Sequence, residues 1–174
     1  MDQAVPMTIT GVRVELPSNT PIVLLREQAG ERFLPIWVGM VEATAISSAM
    51  EGATPPRPQT HDLFVSAVQA LGARPVRVVV TELRDSVFFA DLVFEREGEE
   101  IVVSSRPSDA IAISVRTGTP VFANRSVLDE AGIEIESEET GDVPEQEIER
   151  FREMLEEITV DDFLSGGDED DLGS

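Results

Sequence analysis

The chain has 174 residues, 41% of them hydrophobic, no cysteine, and a formal net charge of −21. That length supports one domain with a real core, and the absence of cysteine excludes a disulfide framework, a thiolate nucleophile and a cysteine-based zinc site. All 13 basic residues are arginine, which excludes a lysine Schiff base and a Walker-type P-loop and leaves guanidinium forks, suited to phosphate or carboxylate, as the permanent cations. The charge is unevenly placed: residues 129–174 hold 19 acids and 2 arginines, whereas residues 1–128 hold 15 acids and 11 arginines. The strongly acidic whole argues against unaided nucleic-acid binding, and the nearly balanced body weakens that objection. No apolar run approaches the roughly 20 residues that span a bilayer, and Met1 to Pro6 lacks a basic region followed by an apolar one. The expectation is a cytoplasmic protein without a membrane partner.

In chain order, Thr8 to Leu16 alternates as a strand, with Gly11 breaking the alternation as a bulge would. Pro17 to Thr20 turns into a buried strand from Pro21 to Arg26, and Gln28 to Glu31 turns into a third from Arg32 to Val38. Met40 to Met50 reads as a helix, Gly52 to Gln59 with its three prolines as a loop. Thr60 to Leu71 is predicted as a helix capped by Thr60, stopped by Gly72 and carrying one apolar stripe of Leu63, Phe64, Ala67, Val68 and Leu71. A second meander follows over Pro75 to Leu83, Val87 to Glu95 and Glu100 to Ser104, then a helix capped by Ser108 and running to about Arg116. Thr119 to Ala123 reads as a short strand and Ser126 to Ala131 as one or two helical turns.

The fold class expected is α+β, a mixed and mostly antiparallel sheet built from two three-stranded meanders with packed helices, in a single domain over 1–140. Gly141 to Pro144 reads as a linker. Residues 141–164 then carry an amphipathic helix, Glu145 to Ile158, and 165–174 form an acidic tail expected to be disordered.

Two segments concentrate chemistry. Arg57-Pro58-Gln59-Thr60-His61-Asp62 holds the only histidine just where a helix begins, and Arg106-Pro107-Ser108-Asp109 opens another helix. Each has a structural reading, in which the acid favours the helix dipole. Each also has a functional one, in which the arginine and the helix N-terminus take an anion. His61 is the natural general base or metal ligand. Glu42 has Ala45, Ile46 and Ala49 as same-face neighbours, so it needs a partner, an arginine for preference. Glu42 and Glu51 lie nine positions apart and on opposite faces of an unbroken helix. With no second His and no Cys, a metal site would be rich in carboxylates and suit Mg²⁺ or Mn²⁺.

Taken together, Leu34-Pro35-Ile36-Trp37-Val38-Gly39, Glu42-Ala43 with Ile46, Glu51-Gly52, Arg57 through Leu63, Arg106 through Ala112, Thr119-Pro120-Val121-Phe122 and Val127-Leu128 resemble the bifunctional nuclease domain family. The resemblance runs over roughly residues 8–164 and implies a compact α+β fold and nuclease activity on RNA and DNA. The chain departs from the family at Ser104-Ser105, where members often have Asp, and lacks the extra helical domain of plant members. The function expected is a phosphodiesterase of the nuclease type, assisted by Mg²⁺ or Mn²⁺, with no organic cofactor. His61, Asp62, Asp109 and Glu42 would be catalytic, Arg57 and Arg106 would bind the substrate phosphate, and Glu51 and Asp109 would hold the metal. RNA or DNA would be the partner, and the protein a homo-oligomer. The rival is a non-enzymatic module that binds an anion or nucleotide, or regulates as an oligomer. Both functional readings require the two arginine-bearing helix starts to meet.

Overall fold

A computed structural model describes residues 3–134. Three strands open the chain, β1 (Ala4–Glu15), β2 (Thr20–Glu27) and β3 (Arg32–Trp37), paired antiparallel as a meander. The register shifts between Ile9 and Gly11, and Gly11 has φ +150°, so the broken alternation does mark a bulge. Two helices follow, α1 (Met40–Met50) and α2 (Thr60–Ala70), then a second antiparallel meander of β4 (Arg74–Arg84), β5 (Val87–Arg96) and β6 (Glu99–Ser105). The chain continues through α3 (Pro107–Thr117), β7 (Val121–Asn124), α4 (Arg125–Ala131) and the two-residue β8 (Ile133–Glu134).

The eight strands make one open sheet in the order β6-β5-β4-β7-β1-β2-β3-β8. The short β7 joins the two meanders: it lies parallel to β4, Val78 opposite Val121, and antiparallel to the start of β1, Ala4 opposite Asn124. This pairing is why β1 begins at Ala4 and not at Thr8 as the alternation predicts. The α+β class and the mixed sheet of two meanders are as expected. The linker, helix and tail predicted over 141–174 lie outside the described residues.

The core forms where α1 and α3 press on the sheet. Leu25, Leu34, Ile46, Leu92, Ile111 and Leu128 are fully buried, each stabilising the fold by roughly 1.5–3 kcal/mol. α3 is the most enclosed helix, with Ala110, Ile111, Ala112, Ile113 and Ser114 all buried. The buried Ser114 hydroxyl is satisfied by donating to the Thr119 carbonyl at 2.7 Å. Small residues at Ala43, Ala110 and Ala112 let α1 approach α3 closely. Pro107 stands at the start of α3, where its missing N–H costs nothing, so the cap residue is Arg106 and Ser108 is instead buried inside the first turn. Gly118, at φ +68°, ends the helix in the left-handed conformation that glycine favours.

α2 departs from expectation. Its cap residue is Gln59, whose backbone N–H donates to Asp62 at 2.9 Å, and no residue of the helix is buried. Leu63, Phe64 and Leu71 of the predicted stripe are exposed, with Phe64 reaching Phe94 of β5 at 6.2 Å between ring centroids. The periodicity that predicts this helix is present, but its apolar face is only partly covered among the described residues.

Candidate functional site: three helix starts joined by ion pairs

The N-terminal turns of α1, α2 and α3 supply the site. Asp109, in the first turn of α3, takes both forks of Arg106: Nε donates to Oδ2 at 2.8 Å and NH2 to Oδ1 at 3.1 Å. The remaining arm of Arg106 crosses to α1, where NH1 donates to Glu42 Oε1 at 2.7 Å. Glu42 therefore has the arginine partner its apolar surroundings called for. Asp109 also reaches α2, its Oδ1 standing 3.2 Å from Nε2 of His61. The four residues form one chain of contacts, Glu42–Arg106–Asp109–His61, across segments up to 67 positions apart.

Gly39 is part of this arrangement. It is the cap residue of α1, and a Cβ there would overlap Oε2 of Glu42. The absent side chain leaves room for the Glu42 carboxylate to fold back over the helix start.

Burial pushes the Asp109 carboxyl up, but the hydrogen bonds from Arg106 and His61 and their charges outweigh it, so it is held below the ordinary aspartate value. Asp109 and Glu42 in turn raise Arg106, through their hydrogen bonds first. An ionised Asp109 can only accept, so the imidazole presents Nε2–H to it, and in the neutral form of the ring the lone pair is on Nδ1. Nδ1 has no hydrogen-bond partner among the described residues, and the His61 side chain is 16% exposed. Arg106 has three of its five donors engaged, and its side chain is 65% exposed, leaving two N–H groups for an incoming oxygen.

Asp62 does not face this cluster. Its Oδ1 accepts from Nε of Arg116 at 2.5 Å and its Oδ2 from the Gln59 backbone, so it ties α2 to α3. The Arg116 hydrogen bond, followed by the Gln59 one, holds its carboxyl below the ordinary value. Arg116 also donates to the Ala112 carbonyl at 2.9 Å. It is a residue the sequence reading passes over as a helix end. Its signal was available, since it lies seven positions after Asp109 and hence on the same helix face. Beside this pair a cleft of about 370 Å³ opens between the end of α1 and the loop to α2, lined in part by Ser48, Thr54, Gln59 and Val115. His61 and Asp109 do not line it.

Two expected members stand apart. Glu51 is the residue that ends α1 and is exposed, and neither it nor Arg57, exposed in the loop before α2, makes a side-chain hydrogen bond or ion pair among the described residues. Among the described residues no group of three His, Asp or Glu side chains gathers closely enough to hold a metal ion. Both oxygens of Asp109 and Oε1 of Glu42 instead accept from Arg106. As arranged, these residues do not fit a carboxylate-rich Mg²⁺ or Mn²⁺ site.

Residues 23–136 match the bifunctional nuclease domain as a family. The chain belongs to that family. It is 45% identical over 159 residues to an uncharacterized protein of Mycobacterium tuberculosis, covering 89% of this chain and 95% of that one. It is 29% identical over 126 residues to bifunctional nuclease 2 of Arabidopsis thaliana, covering 69% of this chain and 38% of the plant protein. Bifunctional nuclease 1 of Oryza sativa subsp. indica is 26% identical over 117 residues, covering 66% of this chain and 35% of its own length. The bifunctional nuclease match thus takes in all four members of the Glu42–His61 cluster, while the chain spans little more than a third of these plant relatives. No helix among the described residues is long and apolar enough to cross a membrane.

Proposed function

We propose that this protein is a nuclease-type phosphodiesterase acting on RNA or DNA, in which the His61–Asp109 pair moves the proton. The observation that carries the reading is an imidazole anchored through Nε2 on a carboxylate that also holds the Arg106 guanidinium, with Nδ1 unpartnered and two guanidinium donors unengaged among the described residues. Nδ1 of His61 takes the proton from the attacking hydroxyl or water as its oxygen bonds to phosphorus, the P–O bond to the departing nucleoside oxygen breaks, and that oxygen takes up a proton from the imidazolium or from solvent water. Asp109 orients the ring and stabilises the imidazolium that forms. The spare N–H groups of Arg106 neutralise charge gathering on the phosphoryl oxygens, and the unpaired Arg57 supplies a second cation for the strand. Glu42 acts by fixing Arg106, and Asp62 by holding α2 against α3.

The test is cleavage of labelled single-stranded RNA and DNA by the purified protein, in EDTA and with added Mg²⁺ or Mn²⁺. Wild-type cleavage lost in both His61→Ala and Asp109→Ala supports the reading, and undiminished cleavage by either variant overturns this site.

A second reading follows from the compensation of Arg106 by two acids and of Arg116 by one. In it the same contacts lock three helix starts of a non-catalytic module that holds a nucleotide or other anion. It predicts no cleavage under any metal condition and a rise in melting temperature on adding a mononucleotide.

A further inference from the structure

Among the described residues the sheet ends at β6, whose outer side no other strand pairs. Natural edge strands are blunted by charged residues, lysine above all, by proline or a bulge, by a covering element or by being very short. β6 has seven residues in unbroken register with β5, and its sequence, Glu99-Glu100-Ile101-Val102-Val103-Ser104-Ser105, has acids only at its first two positions and leaves the Ile101–Val103 centre without charge, proline or bulge. Ile101, Val102 and Val103 are 44%, 57% and 43% exposed. Ile101 and Val103 lie opposite Phe94 and Leu92, so they share the sheet face on which Phe64 of α2 packs. The exposed apolar side of α2, with Leu63 and Phe64, continues that patch.

We infer that β6 pairs antiparallel with β6 of a second copy, across a two-fold axis through Val102, extending the sheet between protomers. The strand is complementary to itself in this register. Val102 faces Val102, Ile101 faces Val103, Glu100 faces Ser104 and Glu99 faces Ser105, so each acid meets a neutral hydroxyl and no like charges oppose. Glu100 is further neutralised by Arg77, whose NH1 and NH2 donate to it at 2.5 and 2.7 Å. Antiparallel pairing about such an axis keeps the helix-bearing faces of both copies on one side, which brings the two α2 stripes toward one interface. The partner's Glu99 then stands beside Ser105, the residue before Arg106. The inference does not depend on nuclease activity.

The full-length protein is tested by sedimentation equilibrium at physiological salt, which screens the net charge. The expected mass is twice 19.0 kDa. Val102→Lys places two ammonium groups face to face and is expected to give a monomer with unchanged circular dichroism. Because the chain has no cysteine, Val102→Cys reads the axis directly. Opposed residues in an antiparallel pair have Cα atoms about 4.5–5.5 Å apart, within disulfide reach. Mild oxidation is expected to cross-link this variant and to leave Val41→Cys, at a 70% exposed position on α1, uncross-linked. A monomeric wild type, which would leave the edge to another occupant, overturns the inference. So does a dimer that survives Val102→Lys, or cross-linking at 41 as rapid as at 102.

Discussion

One oxygen of Asp109 serves two helices: Oδ1 accepts from NH2 of Arg106 at 3.1 Å and stands 3.2 Å from Nε2 of His61. Asp109→Asn keeps the shape but removes the charge that selects the imidazole tautomer. Cleavage is expected to fall by about 10²–10⁴-fold, and the pH dependence of kcat/KM should change with it. A merely structural Asp109 would lower the melting temperature and leave that profile in place.

Gly39 and Glu42 should behave as one unit. In Gly39→Ala the new Cβ displaces the Glu42 carboxylate, while the extended backbone of residue 39, at φ −72°, accepts any side chain. The fold should persist, with stability changed by less than about 1 kcal/mol, and kcat/KM should fall roughly tenfold, as in Glu42→Gln. Since both changes release Arg106, the double variant should be no worse than either single one. Additive losses would refute the shared cause.

Asp62→Ala removes both the Gln59 cap bond and the partner of Arg116, whose side chain is 10% exposed. Leaving that guanidinium unpaired, with the cap also lost, should destabilise the protein by about 2–3 kcal/mol, read as a lower midpoint in urea. A change within experimental error would show that α2 is held by something else.

Acid should weaken the fold through the same groups. Asp62 and Asp109 have folded-state carboxyls below the ordinary aspartate value, whereas both titrate near pH 4 in an unfolded chain. Their contribution is therefore complete above about pH 4 and is lost as pH falls through the folded values. Asp62→Asn should flatten the stability curve below about pH 4 relative to wild type, as followed by urea titration at each pH. An unchanged slope would remove Asp62 from this account.

Much of this was legible in the residues. Strand alternation, the Gly11 bulge and the two helix starts all follow from local rules, and the need of Glu42 for an arginine was a statement about burial. What local rules could not supply was position in the sheet. β7 slots between β4 and β1 because both offered free edges, and only that insertion extends β1 back to Ala4. The pairing of Asp62 with Arg116, and not with the His61 cluster, depends on which way consecutive side chains leave α2. The apolar stripe of α2 was legible as a pattern, but periodicity shows that a face wants cover and does not say what provides it.

The placement of β7 carries a consequence for how the imidazole comes to have its acid. Everything through Gly72 supplies Glu42 and His61, and everything after it supplies Arg106 and Asp109. Neither fragment holds the whole Glu42–Arg106–Asp109–His61 run of contacts, so under the proposed function a split chain should gain cleavage only when its two halves are mixed and re-associate across that central seam.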